Sequence, residues 1–382
     1  MSAMPLQPMS GEDPEELRAR LALLRVAGIG PRCYRRLLDH CGSARTALTT
    51  RGGELDLPSQ VRERLRHPDW AGADRDLEWS ERPGHRLLQA HTPDYPSLLA
   101  ESLDAPPVLF VRGEVGHLAM PQLALVGSRN PTPGGRSNAR DFAAEFARRG
   151  FVVTSGMAFG IDAESHRGAL DAGGATVAVM GTGPDRIYPG RHLSLAREIA
   201  ERGALVSEFP VGTPALPANF PRRNRIIAAL ALGTLGVEAA ESSGSLLTAR
   251  ASSDLGREVF AIPGSIHSPV AKGCHALIRQ GAKLVEGAQH VIEELEGVVG
   301  ALSASLAAVV PSTEQMLPAH DSEHEALLYA MGFDPVSVDS LASRTQLTPA
   351  ELSSMLLILE LEGRVAAVSG GRYVRIGLES PR

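Results

Sequence analysis

LALVGSRNPTPGGRSNARDFAAEFARRGFVVTSGMAFGIDAESHRGAL, residues 123–170, is the stretch whose reading decides the fold. An apolar run, Leu123 to Val126, stops at Gly127-Ser128-Arg129, and a turn-rich bridge with Pro131, Pro133, Gly134 and Gly135 follows. Phe142 and Phe146 then stand one helical turn apart, on one face of a helix. Gly150 is placed to close that helix. A second apolar run, Phe151 to Val153, breaks at Thr154-Ser155-Gly156, and another helical pattern begins near Asp162. Strand, loop, helix, strand, loop, helix predicts a parallel sheet covered by helices. Ligands of such sheets bind beyond the carboxyl ends of the strands, where both glycine-serine loops fall. Small residues there let backbone N–H groups approach an anion, and Arg129 adds a fixed positive charge.

The same alternation continues outward. Strands are expected at Thr176–Met180, Leu205–Ser207, Thr234–Val237 and Glu258–Ile262, with helices at Arg191–Arg202, Arg225–Leu232, Ser245–Leu255 and Cys274–Gln280. Six or more parallel strands make a doubly wound α/β sheet within residues 83–300. Before it, residues 1–82 read as a helical module, after a start (1–12) expected to be unstructured. Leu17–Val26, the turn Ala27-Gly28-Ile29-Gly30-Pro31 and Arg32–His40 form helix, glycine turn, helix. That is either a helix-hairpin-helix clamp on phosphate, helped by Arg32, Arg35 and Arg36, or an ordinary tight hairpin. Helices at Pro58–Arg66 and Asp74–Trp79 complete a bundle of four or five. Residues 83–107 read as irregular, with His85 and His91 on loop surface. An Ala/Ser/Val-rich linker is expected over 301–320. Three helices and a Gly370-Gly371 hairpin within 321–382 outline a small winged helix. Carboxylates outnumber arginines there, which favours a role toward a partner or a dimer over autonomous DNA binding.

Composition narrows the classes. At 382 residues with 43% hydrophobic content the chain can bury a substantial core, but with 4% aromatics it must build it from Ala, Leu and Val. All but two of the 38 basic residues are arginine, the lysines being Lys272 and Lys283. Net charge is −6, so any nucleic-acid partner must meet a local basic patch. Cys33, Cys41 and Cys274 are too scattered for a disulfide framework or a zinc site, and a reducing cytoplasm suits them. Neither a signal peptide nor a membrane span is expected.

Three familiar chemistries fail against the loops. Gly181-Thr182-Gly183 opens a dinucleotide fingerprint, but Arg186 stands at its third glycine. No Gly-Lys-Ser/Thr loop and no Gly-x-Ser-x-Gly elbow is present. His166 lies one turn after Asp162, either as a buried pair or as an acid–base pair. The densest cationic feature is Phe220-Pro221-Arg222-Arg223-Asn224-Arg225, ahead of apolar Ile226-Ile227. Its arginines are expected to crowd at a helix start that already favours anions. Phe220 is either a base-stacking platform or a core plug. Glu241-Ser242-Ser243-Gly244-Ser245 and Lys272-Gly273 add further loops at the same edge. A row of phosphate sites without a catalytic set points to holding a polyanion rather than cutting it.

Gly127-Ser128-Arg129, Ser155-Gly156-x-Ala158-x-Gly160-Ile161-Asp162-x-x-x-His166, Tyr188-Pro189, Ser207-Glu208, Phe220-Pro-x-Arg-Asn-Arg-Ile-Ile, Ser243-Gly244, Pro263-Gly264 and Gly273-Cys274 together resemble the DprA/Smf family, DNA-processing protein A. The chain departs from that pattern at His192 and His275, where the family usually has asparagine, and at Ser165, where it has alanine. The resemblance implies a helical SAM-like domain, a Rossmann-like domain and a winged-helix domain. It implies a homodimer, without enzymatic activity or cofactor, that binds and protects incoming single-stranded DNA and loads RecA onto it during natural transformation, helping displace single-strand-binding protein. Carried onto this sequence, the DNA pocket would use Gly127, Ser128, Arg129, Ser155, Gly156, Phe220, Arg222, Arg223, Asn224, Arg225, Gly244 and Lys272. The competing reading is a nucleotide-processing enzyme of the lysine-decarboxylase-like phosphoribohydrolase type, drafting Glu241 or the Asp162–His166 pair.

Overall fold

The computed structural model describes residues 13–53 and 55–295, and toward the C-terminus 327, 330–331, 336–345, 347–348, 351–352, 355–356, 359, 365–368 and 372–375. The expected unstructured start and the 301–320 linker lie outside the described residues. Two compact units are present, residues 1–306 and 307–382.

Five helices open the first unit: α1 (Pro14–Leu24), α2 (Pro31–Cys41), α3 (Ala44–Thr49), α4 (Ser59–Leu65) and α5 (Trp70–Ser80). Asp13 caps α1 through the Glu15 amide, and Gly42 ends α2 in the left-handed conformation, φ 77°. Their apolar faces share one core with Val108 and Phe110 of the sheet. Asp76 is fully buried and receives two hydrogen bonds of 2.7 Å from Arg25, whose guanidinium also donates to the Val211 carbonyl at 3.0 Å. The Val211 amide donates back to Asp76 at 2.9 Å, so a buried ion pair fastens the helices to a sheet-edge loop.

Nine strands form the sheet. In chain order they are β1 (His85–Gln89), β2 (Val108–Gly113), β3 (Gln122–Val126), β4 (Val152–Ser155), β5 (Thr176–Val179), β6 (Ala204–Ser207), β7 (Gly233–Gly236), β8 (Glu258–Ala261) and β9 (Lys283–Leu284). Their spatial order is β1-β2-β6-β5-β4-β3-β7-β8-β9. All pairs from β6 to β9 are parallel, while β1 and β2 add antiparallel at one edge. The expected irregular stretch 83–107 therefore contains a strand, β1, and a short helix, α6 (Ser97–Ala100). His85 is not surface: it is buried in β1, stacked on Trp79 at 4.3 Å, with Nδ1 2.8 Å from the Trp79 carbonyl.

Helices cover both faces: α7 (Pro133–Arg148), α8 (Ile161–Asp171), α9 (Leu193–Arg202), α10 (Asn219–Leu230), α11 (Ser245–Asp254) and α12 (Lys272–Arg279). Alternation along β3 divides the core as strand geometry requires. Leu123 and Leu125 pack with Phe142 and Phe146 of α7, whereas Ala124 and Val126 pack with Ile226 and Leu230 of α10. Strand order reverses between β3 and β7, so the loops after these two strands open a crevice.

In the second unit, β10 (Val336–Ser337), β11 (Val365–Val368) and β12 (Arg372–Arg375) form an antiparallel sheet in the order β10-β12-β11, with helix α13 (Val338–Thr345) beside it. Leu327, Met331, Leu341, Leu352, Leu356 and Leu359 share its core. This is the expected winged helix, with β10 as a third, unforeseen strand.

Candidate nucleic-acid interface

At the switch point the structure opens a cleft of about 480 Å³. Gly127, Ser128, Arg129 and Asn130 line it from the loop after β3, and Phe220, Pro221, Arg223 and Asn224 from the start of α10. Ser242, Ser243, Gly244 and Ser245 close it from the loop before α11, and Ala158 and Asp162 lie at its floor. Of the expected residues, Gly127, Ser128, Arg129, Phe220, Arg223, Asn224 and Gly244 therefore meet at one place.

Arg129 is its exposed cation. Its guanidinium carbon lies 5.9 Å from the centroid of the Phe220 ring, and among the described residues it has no carboxylate partner. Phe220 is half-buried: its inner side rests on Gly181, where a Cβ would come within 2.8 Å of the ring, while its outer side borders the cleft. Gly127 is glycine because of close approach. A Cβ there would stand 2.6 Å from Ile161 Cγ1 and 2.8 Å from the Glu238 carbonyl.

The other arginines do not crowd together onto the surface: Arg222 stays exposed, Arg225 is half-buried and Arg223 is buried. Arg223 is buried at 4% exposure, donates to the Gly156 carbonyl at 2.6 Å and to the Val179 carbonyl, and bonds Asn224 Oδ1 at 3.0 Å. Burial lowers its pKa to about 10, opposed by Asp162 at 4.0 Å, so it stays cationic at neutral pH. Arg222 and Arg225 share the Glu208 carboxylate, which is 1% exposed; Arg222 approaches at 3.1 Å, and Arg225 also donates to the Asp104 carbonyl. Burial raises the Glu208 carboxyl, opposed by Arg225 and then Arg222. Arg222 keeps about half its side chain exposed, with its guanidinium over Phe209, 5.2 Å from the ring centroid. Glu208 stands 14 and 17 residues from these arginines, so the local charge run concealed their partner.

The backbone amides are also largely engaged. Ser155 is buried, with its hydroxyl donating to the Leu125 carbonyl at 2.6 Å. The Gly156 and Ala158 amides donate to Asp162 Oδ2, both at 3.2 Å, and a Cβ on Gly156 would overlap the Arg223 guanidinium. The Ser128 amide donates to the Glu238 carbonyl at 2.6 Å. At the start of α7 the Glu238 carboxylate takes the Thr132 amide at 2.9 Å and the Thr132 hydroxyl at 2.6 Å, filling the helix terminus expected to hold an anion. Lys272 is exposed at the start of α12 but does not line the cleft.

Asp162 and His166 are both buried but not paired. His166 Nδ1 lies 2.7 Å from Thr176 Oγ1, which itself donates to the Val153 carbonyl, so the imidazole is the donor. Burial lowers its pKa to about 3 and keeps it neutral. An imidazole with zero exposure has no access to a substrate, which removes the acid–base reading. The two asparagine-to-histidine departures are structural: His192 Nδ1 lies 3.0 Å from the Met157 carbonyl, and His275 Nε2 lies 3.0 Å from the Gly264 carbonyl. The loop Glu241-Ser242-Ser243-Gly244-Ser245, expected at the same edge, supplies Ser242, Ser243 and Ser245 to the cleft beside Gly244. Sequence reasoning did not single out any of these serines as a contact. It also missed Tyr188, whose ring lies 5.4 Å from Phe220. Only its exposure, 52%, distinguishes Tyr188 from a core residue, and exposure is invisible in the string.

Residues 86–296 match the family described as DNA recombination-mediator protein A; residues 14–60 match a DprA-like N-terminal HHH domain and residues 311–371 a DprA winged helix domain. Protein Smf of Escherichia coli K12 is 44% identical over 306 residues, covering 78% of this chain and 80% of that protein. DNA processing protein DprA of Bacillus subtilis 168 is 40% identical over 213 residues, 56% of this chain and 72% of that protein. Among solved structures, DprA of Streptococcus pneumoniae aligns with a TM-score of 0.65 at 33% identity, covering 72% of this chain and 97% of that one. DprA of Helicobacter pylori, solved for its single-stranded DNA binding mode, aligns with a TM-score of 0.50 at 27% identity, covering 55% and 99%. The fold, the cleft at its switch point and these matches agree: this chain belongs to the DNA recombination-mediator protein A family, DprA/Smf.

Proposed function

We propose that the cleft at the β3–β7 switch point holds single-stranded DNA, with Arg129 on a phosphate and Phe220 against a base. The observation that carries this reading is the Arg129–Phe220 pair: an exposed cation without a carboxylate partner beside an aromatic edge, in the crevice where open α/β sheets bind ligands. The single-stranded DNA binding named for the Helicobacter pylori relative supports it. In this role the protein is a mediator without a chemical step, working in the cytoplasm as a homodimer. It shields incoming single strands, hands them to RecA during natural transformation, and relieves the block set by single-strand-binding protein.

The site residues keep their proposed role unequally. Arg129, Ser128, Gly127, Asn224, Gly244 and Phe220 face the strand. Arg222 reaches it from the flank, Lys272 from beyond the cleft. Ser155, Gly156, Arg223 and Arg225 hold the loops in place. Fluorescence anisotropy with labelled oligo-dT over a salt series tests the site. Arg129→Ala is expected to weaken binding and flatten the log–log salt slope by about 0.7, the share of one phosphate contact on a single strand. RecA filament assembly on a strand coated with single-strand-binding protein tests the loading step, and unchanged assembly rates with and without this protein would remove it.

A further inference from the structure

We infer that the strand continues out of the cleft over a second stacking subsite, built from Tyr188 and Phe159 with Arg191 as its cation; this deepens the single-strand reading above. Aromatic residues are scarce in this chain, 4% of the total, and among the described residues most of them are buried in the core. Among the described residues the exposed large apolar side chains include three aromatics: Trp70, Phe159 and Tyr188. Trp70 is covered by the Arg18 guanidinium, 5.0 Å from its ring centroid. The other two stand at the rim of the cleft. Tyr188 is 52% exposed and backed on one side by Phe220, at 5.4 Å and an interplanar angle of 45°. Phe159 is 41% exposed and directly follows Ala158 of the cleft floor. Its ring meets the edge of His192 at 5.0 Å, and His192 is itself fixed to the Met157 carbonyl.

A ring costs free energy when left in water, so two of them beside one anion-facing crevice need an occupant with flat apolar faces. Unpaired bases have such faces on a backbone whose charge the neighbouring cations meet. Arg191 supplies that charge: it is exposed between Tyr188 and His192, and among the described residues no carboxylate pairs with it. Arg129, Phe220 and Tyr188 thus stand in succession, cation, ring, ring, and the exposed Arg191 comes three residues after Tyr188 in the chain.

The experiment measures affinity for two strands of equal length, oligo-dT and an abasic deoxyribose-phosphate oligomer, over a salt series. Wild type is compared with Tyr188→Leu, Phe159→Leu, Tyr188→Phe and Arg191→Ala. Wild-type protein should prefer the strand with bases. Loss of one stacked base should weaken oligo-dT binding by about fivefold to a hundredfold in Tyr188→Leu and in Phe159→Leu, with the salt slope unchanged. Abasic binding should be untouched, and Tyr188→Phe should bind as wild type. Arg191→Ala should instead flatten the slope by about 0.7 on both strands. Equal losses of Tyr188→Leu on both strands, or no loss on either, would overturn the subsite. The second outcome with a normal Arg129→Ala defect would assign the rim to a protein partner. Wild-type protein that binds neither strand would instead sink the single-strand reading on which the subsite rests.

Discussion

Arg225→Ala separates the two kinds of arginine in this protein. The side chain is 22% exposed and ties the buried Glu208 carboxylate to the Asp104 carbonyl, so it links α10 to β6 and to the chain before β2. Removing it leaves Glu208, 1% exposed, with Arg222 alone, while one of its oxygens already lacks a partner. Breaking a buried pair from one side costs 3–5 kcal/mol, and Arg222 keeps this case at the lower end, about 3 kcal/mol. For a unit of about 300 residues, at about 2.1 cal/mol/K of unfolding entropy per residue, that lowers Tm by roughly 5 °C. Arg129→Ala loses only its approach to Phe220, worth about 0.5–1 kcal/mol at an exposed site, and Tm should move by no more than about 3 °C. Calorimetry and anisotropy on the same preparations give the result. Arg225→Ala should melt early yet keep its salt slope, whereas Arg129→Ala should melt normally and lose slope. An Arg225→Ala protein with wild-type Tm and a flattened slope would mean that Arg225 contacts DNA and that Glu208 is not its anchor.

Two further outcomes follow from buried groups. His166 has its pKa lowered from 6.5 to about 3 by burial, so on acidification the unfolded chain takes up a proton that the folded chain refuses, and stability falls as pH drops below about 6.5. From pH 6.5 to 5 this group alone removes about 2 kcal/mol, and His166→Asn should show a smaller shift of the urea midpoint over that range; an equal shift would place the acid sensitivity elsewhere. Glu238→Gln keeps one of the two bonds from Thr132 but removes the charge at the start of α7, which should cost about 0.5–1 kcal/mol and leave the DNA salt slope alone; a steeper slope would show that this helix terminus binds phosphate once the carboxylate charge is gone.

How much of this was legible depends on the range of the interaction. Period and glycine placement located β3, β4, α7 and α8, because they are set by neighbours within a few residues. The loops carrying Gly127, Arg129, Phe220 and Gly244 followed from strand order, since a doubly wound sheet brings such loops to one edge. What failed was the fate of charge. Arg222, Arg223 and Arg225 read as one cationic face, but their partners, Glu208, Asp162 and the Gly156 carbonyl, come from the loop after β6, from α8 and from the loop after β4, far away in sequence. β1 escaped notice because His85-Arg86-Leu87-Leu88-Gln89 alternates too weakly to announce an edge strand, and α6 because four residues carry no period. Tyr188 and Phe159 were invisible as a rim because nothing local marks an aromatic residue as exposed.

These internal pairings change the physics expected of the interface. Asp162 and Glu238 occupy the loop amides that a phosphate would otherwise take, and Glu208 occupies much of the arginine charge. Among the described residues, the cations left for the proposed strand are Arg129, Arg191, part of Arg222 and, beyond the cleft, Lys272, three or four phosphate partners. At about 0.7 per contact the salt slope should lie near 2–3, so raising salt from 50 to 200 mM costs roughly twentyfold to fiftyfold, against about a thousandfold or more for a protein with six to ten contacts. On the proposed reading, affinity at physiological salt would then come mostly from stacking on Phe220 and the rim, which is insensitive to ions and indifferent to base identity. That combination suits the proposed mediator role: such a site would hold any sequence, tolerate the ionic strength in which strands arrive, and have few charge contacts to break when the strand is passed on.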